Sequence, residues 1–209
     1  MRLPAWEVYR LKRAARKVRV GARRGSLAVK PAARAQPVFL VGFMGAGKTS
    51  VGEALATRLG WSFIDLDGRI ETRQQRSISD IFRDSGESEF RRLESEELQQ
   101  VVAEVEGKAA VVALGGGTFV PPANAHSLRN CGYTVFLDAP VEQLWRRSQV
   151  QGARPLAVSE NHFRQLYAAR RSRYMEADCC VQTGGRPVAE VVAEIAARLP
   201  WATGKGETQ

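Results

Sequence analysis

The stretch GFMGAGKT, residues 42–49, has the composition and spacing of a phosphate-binding loop. Gly42, Gly47, Lys48 and Thr49 fit the pattern G-x-x-x-x-G-K-[ST]. Its glycines let backbone N–H groups approach phosphate oxygens without a Cβ in the way, and the helix that follows points its N-terminus at the same anion. In this pattern the lysine reaches the β- and γ-phosphates, and the hydroxyl binds Mg²⁺. The stretch therefore predicts a site for a nucleoside triphosphate and Mg²⁺.

Two aspartates, Asp65 and Asp67, lie at the end of the next apolar stretch, SFIDLD. If residues 62–67 form a strand, positions i and i+2 share a face, and both carboxylates point to one side at its carboxyl end. In a parallel sheet that edge also holds the phosphate loop. One carboxylate can then hold metal-bound water, while the other orients or deprotonates an acceptor hydroxyl. The alternative is a solvated turn with an aspartate capping a helix.

Arginines and glycines further along the chain suit a small anionic acceptor. Arg91 opens a charged helix, and Glu94 lies three residues on, where it can hold the guanidinium in place. The run 115–117 is three glycines after a predicted strand, which allows a ligand to come close to the backbone. Arg154 lies in the segment GARPL, and Arg170 lies on a predicted helix. Guanidinium groups bind a carboxylate in a bidentate fork.

The elements that must position these residues alternate between strands and helices from Pro37 onward. The predicted strands are VFLVG, SFIDLD, AAVVALGGG, YTVFLDAP and ADCCVQT. The predicted helices include KTSVGEALATRL, closed by Gly60, then ISDIFRDSG, EFRRLESEELQQVVAEV and VAEVVAEIAARL. Apolar strands that alternate with helices imply a parallel sheet covered on both faces. The expected fold is a three-layer α/β/α domain with a central, parallel, five-stranded sheet.

The net charge of +9 is confined to one end of the chain. Residues 1–35 hold eleven of the 31 Lys and Arg but one of the 22 acidic residues, so the remainder is nearly neutral at −1. Charge therefore gives no reason to expect nucleic acid at the core.

No apolar run approaches the ~20 residues that cross a bilayer. The three cysteines match no zinc spacing and are interpreted as reduced packing residues in a cytoplasmic protein.

The ordered set GFMGAGKT, DLD, SGESEFRRLE, LGGG, RRSQVQGARPL and R-x-x-x-Y resembles the shikimate kinase family. The resemblance covers about residues 37–199. It implies a nucleoside-monophosphate-kinase-like P-loop fold with a mobile lid, here about residues 148–160, and transfer of the ATP γ-phosphate to the 3-hydroxyl of shikimate. ATP is then the co-substrate, Mg²⁺ the cofactor and shikimate the partner, and a monomer is expected.

The resemblance also implies roles for individual residues. The nucleotide is assigned to Gly45, Ala46, Gly47, Lys48, Thr49, Ser50, Arg147, Arg154 and Arg186. Shikimate is assigned to Asp67, Arg91, Gly116, Gly117 and Arg170. Mg²⁺ is assigned to Thr49 and, through water, to Asp65. Lys48, Asp67 and Arg154 are the implied catalytic residues.

Three departures from the family pattern leave questions open. Arg171 or Arg173 could share the role given to Arg170, and Gln182 stands where the family usually has an acidic residue. Residues 1–36 lie outside the family core and are expected to be disordered or partly helical, as a solubilising arm, a targeting peptide or a nucleic-acid-binding segment. Residues 200–209 are expected to be a disordered tail.

The competing enzyme class is another small-metabolite kinase, such as a gluconate kinase.

Overall fold

The computed structural model describes residues 36–150 and 159–201, all within one compact unit, Ala35–Gln209. Its centre is a sheet of five strands in the order β2-β3-β1-β4-β5, in which every neighbouring pair is parallel. The strands are β1 Val38–Val41, β2 Ser62–Asp65, β3 Ala110–Ala113, β4 Tyr133–Asp138 and β5 Cys179–Gln182. The predicted α/β fold with a parallel five-stranded sheet is confirmed.

The described residues also form seven helices. They are α1 Lys48–Leu59, α2 Leu66–Gln74, α3 Ile78–Val105, α4 Pro122–Cys131, α5 Val141–Val150, α6 Glu160–Tyr174 and α7 Val188–Arg198. Every residue of β1 and β3 is buried. Because successive strand residues point to opposite faces, helices must cover both faces of the sheet. The helix α1 ends as predicted at Gly60, whose φ of 66° is left-handed.

The second strand is shorter than the sequence predicts, and this moves Asp67. The strand β2 ends at Asp65, whose Oδ1 accepts a hydrogen bond from the Gly68 amide at 3.2 Å and so caps α2. Asp67 lies in the first turn of that helix. The prediction that Asp65 and Asp67 share one strand face was therefore wrong. Leu66 and Ile70 are both buried and lie four residues apart, which is the spacing of one face of a helix. This spacing indicates a helix after Asp65 and not a continued strand.

The two helical segments predicted for residues 78–105 are joined at a sharp bend. Gly86, inside α3, has φ 79° and ψ 173°, which is not helical. Arg91 and Glu94 lie in the part of α3 that follows the bend. Three helices, α2, α4 and α5, were not predicted.

The C-terminal end of the described region packs on the body of the domain. Trp201, which the sequence assigns to a disordered tail, stacks on Trp61 with ring centroids 6.0 Å apart and contacts Tyr133 edge-on. Three predicted segments lie outside the described residues: the arm at residues 1–35, most of the expected lid, and the rest of the tail. Within residues 36–150 and 159–201, no helix is long and apolar enough to cross a membrane.

Candidate active site

The predicted chemical residues gather at one edge of the sheet because all five strands end there. The P-loop follows β1, the central strand, and Asp65 ends β2. The glycine run 115–117 follows β3. Asp138 ends β4, and Thr183 follows β5. The strand order therefore places the proposed acceptor residues on one side of the P-loop and the β4–β5 loops on the other, which is the usual location of a ligand in an open α/β sheet.

The P-loop has the backbone conformation that a phosphate cradle needs. Gly45 has φ 80°, and a Cβ there would lie 2.6 Å from the Leu144 carbonyl oxygen, so only glycine fits. The Lys48 side chain is buried, and its Nζ donates to the carbonyl oxygens of Gly42 at 2.9 Å and Phe43 at 3.1 Å. These bonds curl the ammonium group back over the loop, so it faces the space that the loop encloses.

Thr49 and Asp65 together form a pair of hard oxygen donors. The Thr49 hydroxyl, at the start of α1, donates to Asp65 Oδ2 at 2.7 Å, while the other oxygen of Asp65 caps α2. Within the described ranges, no group of three or more His, Cys, Asp or Glu could hold a metal ion by itself. One hydroxyl and one carboxylate suit Mg²⁺, which keeps several waters and takes its remaining ligands from substrate phosphates.

Arg91 is held in place on the acceptor side by a buried carboxylate. Its Nη1 donates to Glu94 Oε2 at 2.7 Å, as the i, i+3 spacing predicts, and Glu94 Oε1 accepts from the Thr118 hydroxyl at 2.6 Å. Burial of Arg91 opposes its positive charge, but Glu94 and Glu87 together more than offset this, and the pKa of Arg91 is raised. The guanidinium is therefore charged and fixed, with 26% of the side chain exposed.

The glycine run lets Asp67 and Arg91 approach the chain after β3. A Cβ at Gly115 would lie 2.7 Å from Asp67 Oδ1 and 2.8 Å from Thr118 Oγ1, and one at Gly117 would overlap the Arg91 guanidinium. Helices α2 and α3 thus bring a carboxylate and a guanidinium against the same loop. Although Asp67 does not lie on the strand, it reaches the site that the sequence predicted.

Arg170 lies on the same side, above the P-loop. Its guanidinium carbon is 6.0 Å from the centroid of the buried Phe43 ring. Arg170 and Arg91 both act on Tyr174: burial raises the pKa of the tyrosine, and the two positive charges offset part of the rise. Arg171 and Arg173, which could have shared the role of Arg170, are bonded elsewhere. Arg171 contacts Asp138 at 2.8 Å, and Arg173 contacts Glu176 at 3.0 Å.

The remaining predicted residues lie near the β4–β5 end of the site. Arg147, on α5, extends toward the carbonyl oxygens of Gly45 and Thr183, each 3.5 Å away. Arg186 is held by Glu194 and by the Gln182 carbonyl at 3.0 Å. Gln182, which replaces the acid usual in the family, donates to Asp138 Oδ2 at 3.3 Å. Arg154 lies outside the described residues.

Sequence reasoning overlooked three residues that lie beside this site. Phe43 contacts Arg170, Thr118 donates to Glu94, the partner of Arg91, and Asp138 holds Arg171. Phe43 and Thr118 had a local signal, since one lies inside the P-loop motif and the other directly follows the glycine run. The R-x-x-x-Y motif includes Tyr174, but the bond from Tyr174 to Gly116 spans 58 residues, and the contact between Asp138 and Arg171 spans 33, so no local pattern indicates either partner.

The site combines a P-loop, a hydroxyl–carboxylate pair of the kind that suits Mg²⁺, the Asp67 carboxylate and two arginines. This combination suits phosphoryl transfer to a small acid. The family model described as shikimate kinase matches residues 44–200. A shikimate kinase from Geobacter sulfurreducens is 41% identical over 176 residues, which are 83% of this chain and 96% of that protein. One from Persephonella marina is 36% identical over 163 residues, covering 78% of this chain and 98% of that protein.

The fold agrees with these relatives. The structure described as shikimate kinase from Acinetobacter baumannii in complex with shikimate superposes with a TM-score of 0.73 at 34% identity. The superposition covers 77% of this chain and 90% of that one. The matched region includes the P-loop from Met44 onward, both aspartates, the glycine run and the arginines of α3 and α6. On these grounds the chain belongs to the shikimate kinase family.

Proposed function

We propose that this chain transfers the γ-phosphate of ATP to the 3-hydroxyl of shikimate, using the side chains at the carboxyl edge of the sheet. Phosphorylation of shikimate by ATP, a step of aromatic amino acid biosynthesis, is the activity of the family to which the chain belongs. The observation that carries the proposal for these residues is that Asp67 and Arg91 lie against the glycine run beside the central strand, while Arg170 lies over Phe43 of the P-loop.

The nucleotide is assigned to the P-loop and to the β4–β5 side. Backbone N–H groups of residues 45–50 and the start of α1 would bind the phosphates. Arg147 and Arg186 would border the adenine, because both lie near Thr183 at the end of β5. Lys48 would stabilise the charge that develops as the γ-phosphoryl group leaves.

Mg²⁺ fits the pair formed by Thr49 and Asp65. Their oxygens are 2.7 Å apart at the entrance to the P-loop, and both are ligand types that Mg²⁺ prefers. The Thr49 hydroxyl would bind the ion directly and Asp65 would bind it through water. A bound Mg²⁺ would neutralise part of the phosphate charge during transfer.

The acceptor is assigned to the β2–β3 side. Arg91 and Arg170 would bind the shikimate carboxylate, since both lie near Tyr174 and a guanidinium group binds a carboxylate in a bidentate fork. The backbone at Gly116 and Gly117 would contact the ring substituents at close range, because neither residue carries a side chain. Asp67 would accept a hydrogen bond from the 3-hydroxyl and take its proton as the new P–O bond forms and the bond to ADP breaks.

Three further assignments rest on the family resemblance. Residues 148–160 would form a lid that closes over both substrates and brings Arg154 toward the transferring phosphate. The chain would act as a monomer in the cytoplasm. Residues 1–36 have no assigned role in the reaction.

The test is ADP release by the purified protein with ATP, Mg²⁺ and one acceptor at a time. We expect turnover with shikimate, and phosphorus NMR of the product should place the phosphate on the 3-hydroxyl. Gluconate and nucleoside monophosphates are the matched alternative acceptors. Faster turnover with either of them than with shikimate would contradict the proposal.

A further inference from the structure

Tyr174 is a buried polar side chain that has no role in the assignments above. It is the last residue of α6, its relative exposure is 0%, and its ring packs on Phe136 with centroids 5.3 Å apart. Its hydroxyl donates a hydrogen bond to the carbonyl oxygen of Gly116. A buried tyrosine hydroxyl normally has a partner, and the partner here is the backbone of the glycine run.

The bond to Gly116 fixes the orientation of a whole peptide group. The Gly116 carbonyl and the Gly117 N–H belong to one planar peptide, and the described chain contains no cis peptide bond. In a trans peptide the C=O and N–H point in opposite directions. When the carbonyl points at Tyr174, the Gly117 N–H must point away from it. Neither residue has a Cβ, so local sterics alone would allow this peptide to rotate.

The direction opposite Tyr174 leads toward the acceptor side of the site. Gly117 is in direct contact with Arg91, since any side chain there would overlap the guanidinium. The Val120 amide donates to the Gly117 carbonyl at 3.0 Å, which anchors the other side of the residue. The Gly117 N–H is therefore a fixed donor beside a fixed cation.

Arg170 lies four residues before Tyr174 on α6, so the two side chains are neighbours on one face of the helix. The positive charge of Arg170 also lowers the pKa of the tyrosine hydroxyl, against the larger effect of burial. A hydroxyl has one hydrogen to donate and two lone pairs that accept, so it can serve both neighbours at once. The hydroxyl therefore lies between one of the two arginines and the glycine peptide, and connects α6 to the loop after β3.

We infer that Tyr174 is a positioning residue for the acceptor. Its hydroxyl aims the Gly117 N–H at the substrate and holds the Arg170 guanidinium for an anionic group. The inference rests on the proposed function, because it assigns Gly117 and Arg170 to shikimate. Tyr174 itself touches neither substrate.

The experiment compares Tyr174→Phe with Tyr167→Phe in the full-length chain. Both changes remove a hydroxyl from α6, but the Tyr167 hydroxyl donates to Asp138 at 2.8 Å, on the β4 side. We expect Tyr174→Phe to raise the KM for shikimate roughly 5- to 15-fold, the range of one lost hydrogen bond. The affinity for ADP should change less than twofold, and Tyr167→Phe should leave the KM for shikimate within about twofold.

Each of the other outcomes has a distinct meaning. If the unmodified chain does not phosphorylate shikimate, the proposed function fails. If it does, and Tyr174→Phe has a normal KM, the inference fails. Equal weakening of shikimate and ADP would also overturn it, because that would indicate a general loosening of the fold. In an Arg170→Ala background, Tyr174→Phe should have a smaller effect than it has alone, and an undiminished effect would refute the link to Arg170.

A second measurement does not depend on how well the variant folds. In the unmodified chain, the Gly117 amide resonance should shift on addition of shikimate and stay nearly unchanged with ADP alone. An amide that ignores shikimate, in a chain that turns shikimate over, would overturn the inference.

Discussion

The Thr49 hydroxyl donates to Asp65 Oδ2 at 2.7 Å, and this bond joins the start of the nucleotide helix to the end of the edge strand. Asp65 also caps α2 through its other oxygen. One carboxylate therefore orients the Thr49 hydroxyl, the proposed Mg²⁺ ligand, and caps the helix that carries Asp67.

Asp65→Asn should separate these two functions. Asparagine caps helices about as well as aspartate, so the stability should change little. Loss of the negative charge should raise the Mg²⁺ concentration for half-maximal activity by about 10- to 100-fold, as expected for a ligand that acts through water. The measurement is a Mg²⁺ titration of turnover beside a thermal melt. An unchanged half-saturation point would show that Asp65 is not part of the metal site.

Lys48→Ala should reduce turnover at least ~10²-fold, because the charge that opposes the departing γ-phosphate is lost. The substitution also removes the hydrogen bonds from the ammonium group to the Gly42 and Phe43 carbonyls, so the fold of the variant must be compared with that of the unmodified chain. Circular dichroism and a thermal melt serve as that control. A variant with near-normal turnover would contradict the assignment of residues 42–49 to ATP.

Asp67→Asn should lower kcat by ~10²–10⁴ if the carboxylate takes the proton of the acceptor hydroxyl. The change keeps the shape of the side chain and removes its basicity. Affinity for ADP, measured by calorimetry, should stay near normal because the nucleotide contacts lie in the P-loop. If kcat falls less than threefold, the catalytic carboxylate is not Asp67.

Arg91→Ala and Arg170→Ala should each raise the KM for shikimate by about one to two decades, equivalent to ~1.5–3 kcal/mol for a charge-assisted hydrogen bond. The matched controls are their neighbours Arg92→Ala and Arg173→Ala. Arg92 is bonded to Glu89 and Glu96, and Arg173 to Glu176, so both controls should leave KM unchanged. An equal loss of ATP affinity in the first pair would indicate a structural role instead.

Gly86→Ala should destabilise the fold by about 1–3 kcal/mol, because the φ and ψ of Gly86 fall in a region essentially restricted to glycine. A Cβ there would meet no atom within 4 Å, so strain and not a clash is the cause. Gly68→Ala is the comparison. Gly68 lies in α2, where alanine is the better helix former, and the change should be neutral or stabilising. Urea unfolding of both variants tests the difference, and equal stability would contradict the role of the bend.

The pattern of apolar strands was sufficient to predict the parallel sheet, and the P-loop motif lies between a strand and a helix as the sequence predicted. The position of Asp67 was not predictable from strand periodicity, because the Asp65 carboxylate caps a helix and ends the strand two residues earlier than the alternation suggests. The partner of Arg91 was predicted correctly because Glu94 is three residues away. Partners such as Asp138 for Arg171 depend on which strand lies beside which helix, and only the folded chain brings them together.

The burial of Phe43 has a consequence for how the two substrates influence each other. Its ring packs edge-on against Phe163 and Tyr167 of α6, at 4.8 and 5.4 Å, while its backbone carbonyl holds Lys48. The P-loop and the helix that carries Arg170 therefore share one packed contact, and a displacement of either is transmitted to the other. Thermodynamic linkage then requires reciprocity: the factor by which bound nucleotide changes the affinity for shikimate equals the factor by which bound shikimate changes the affinity for nucleotide.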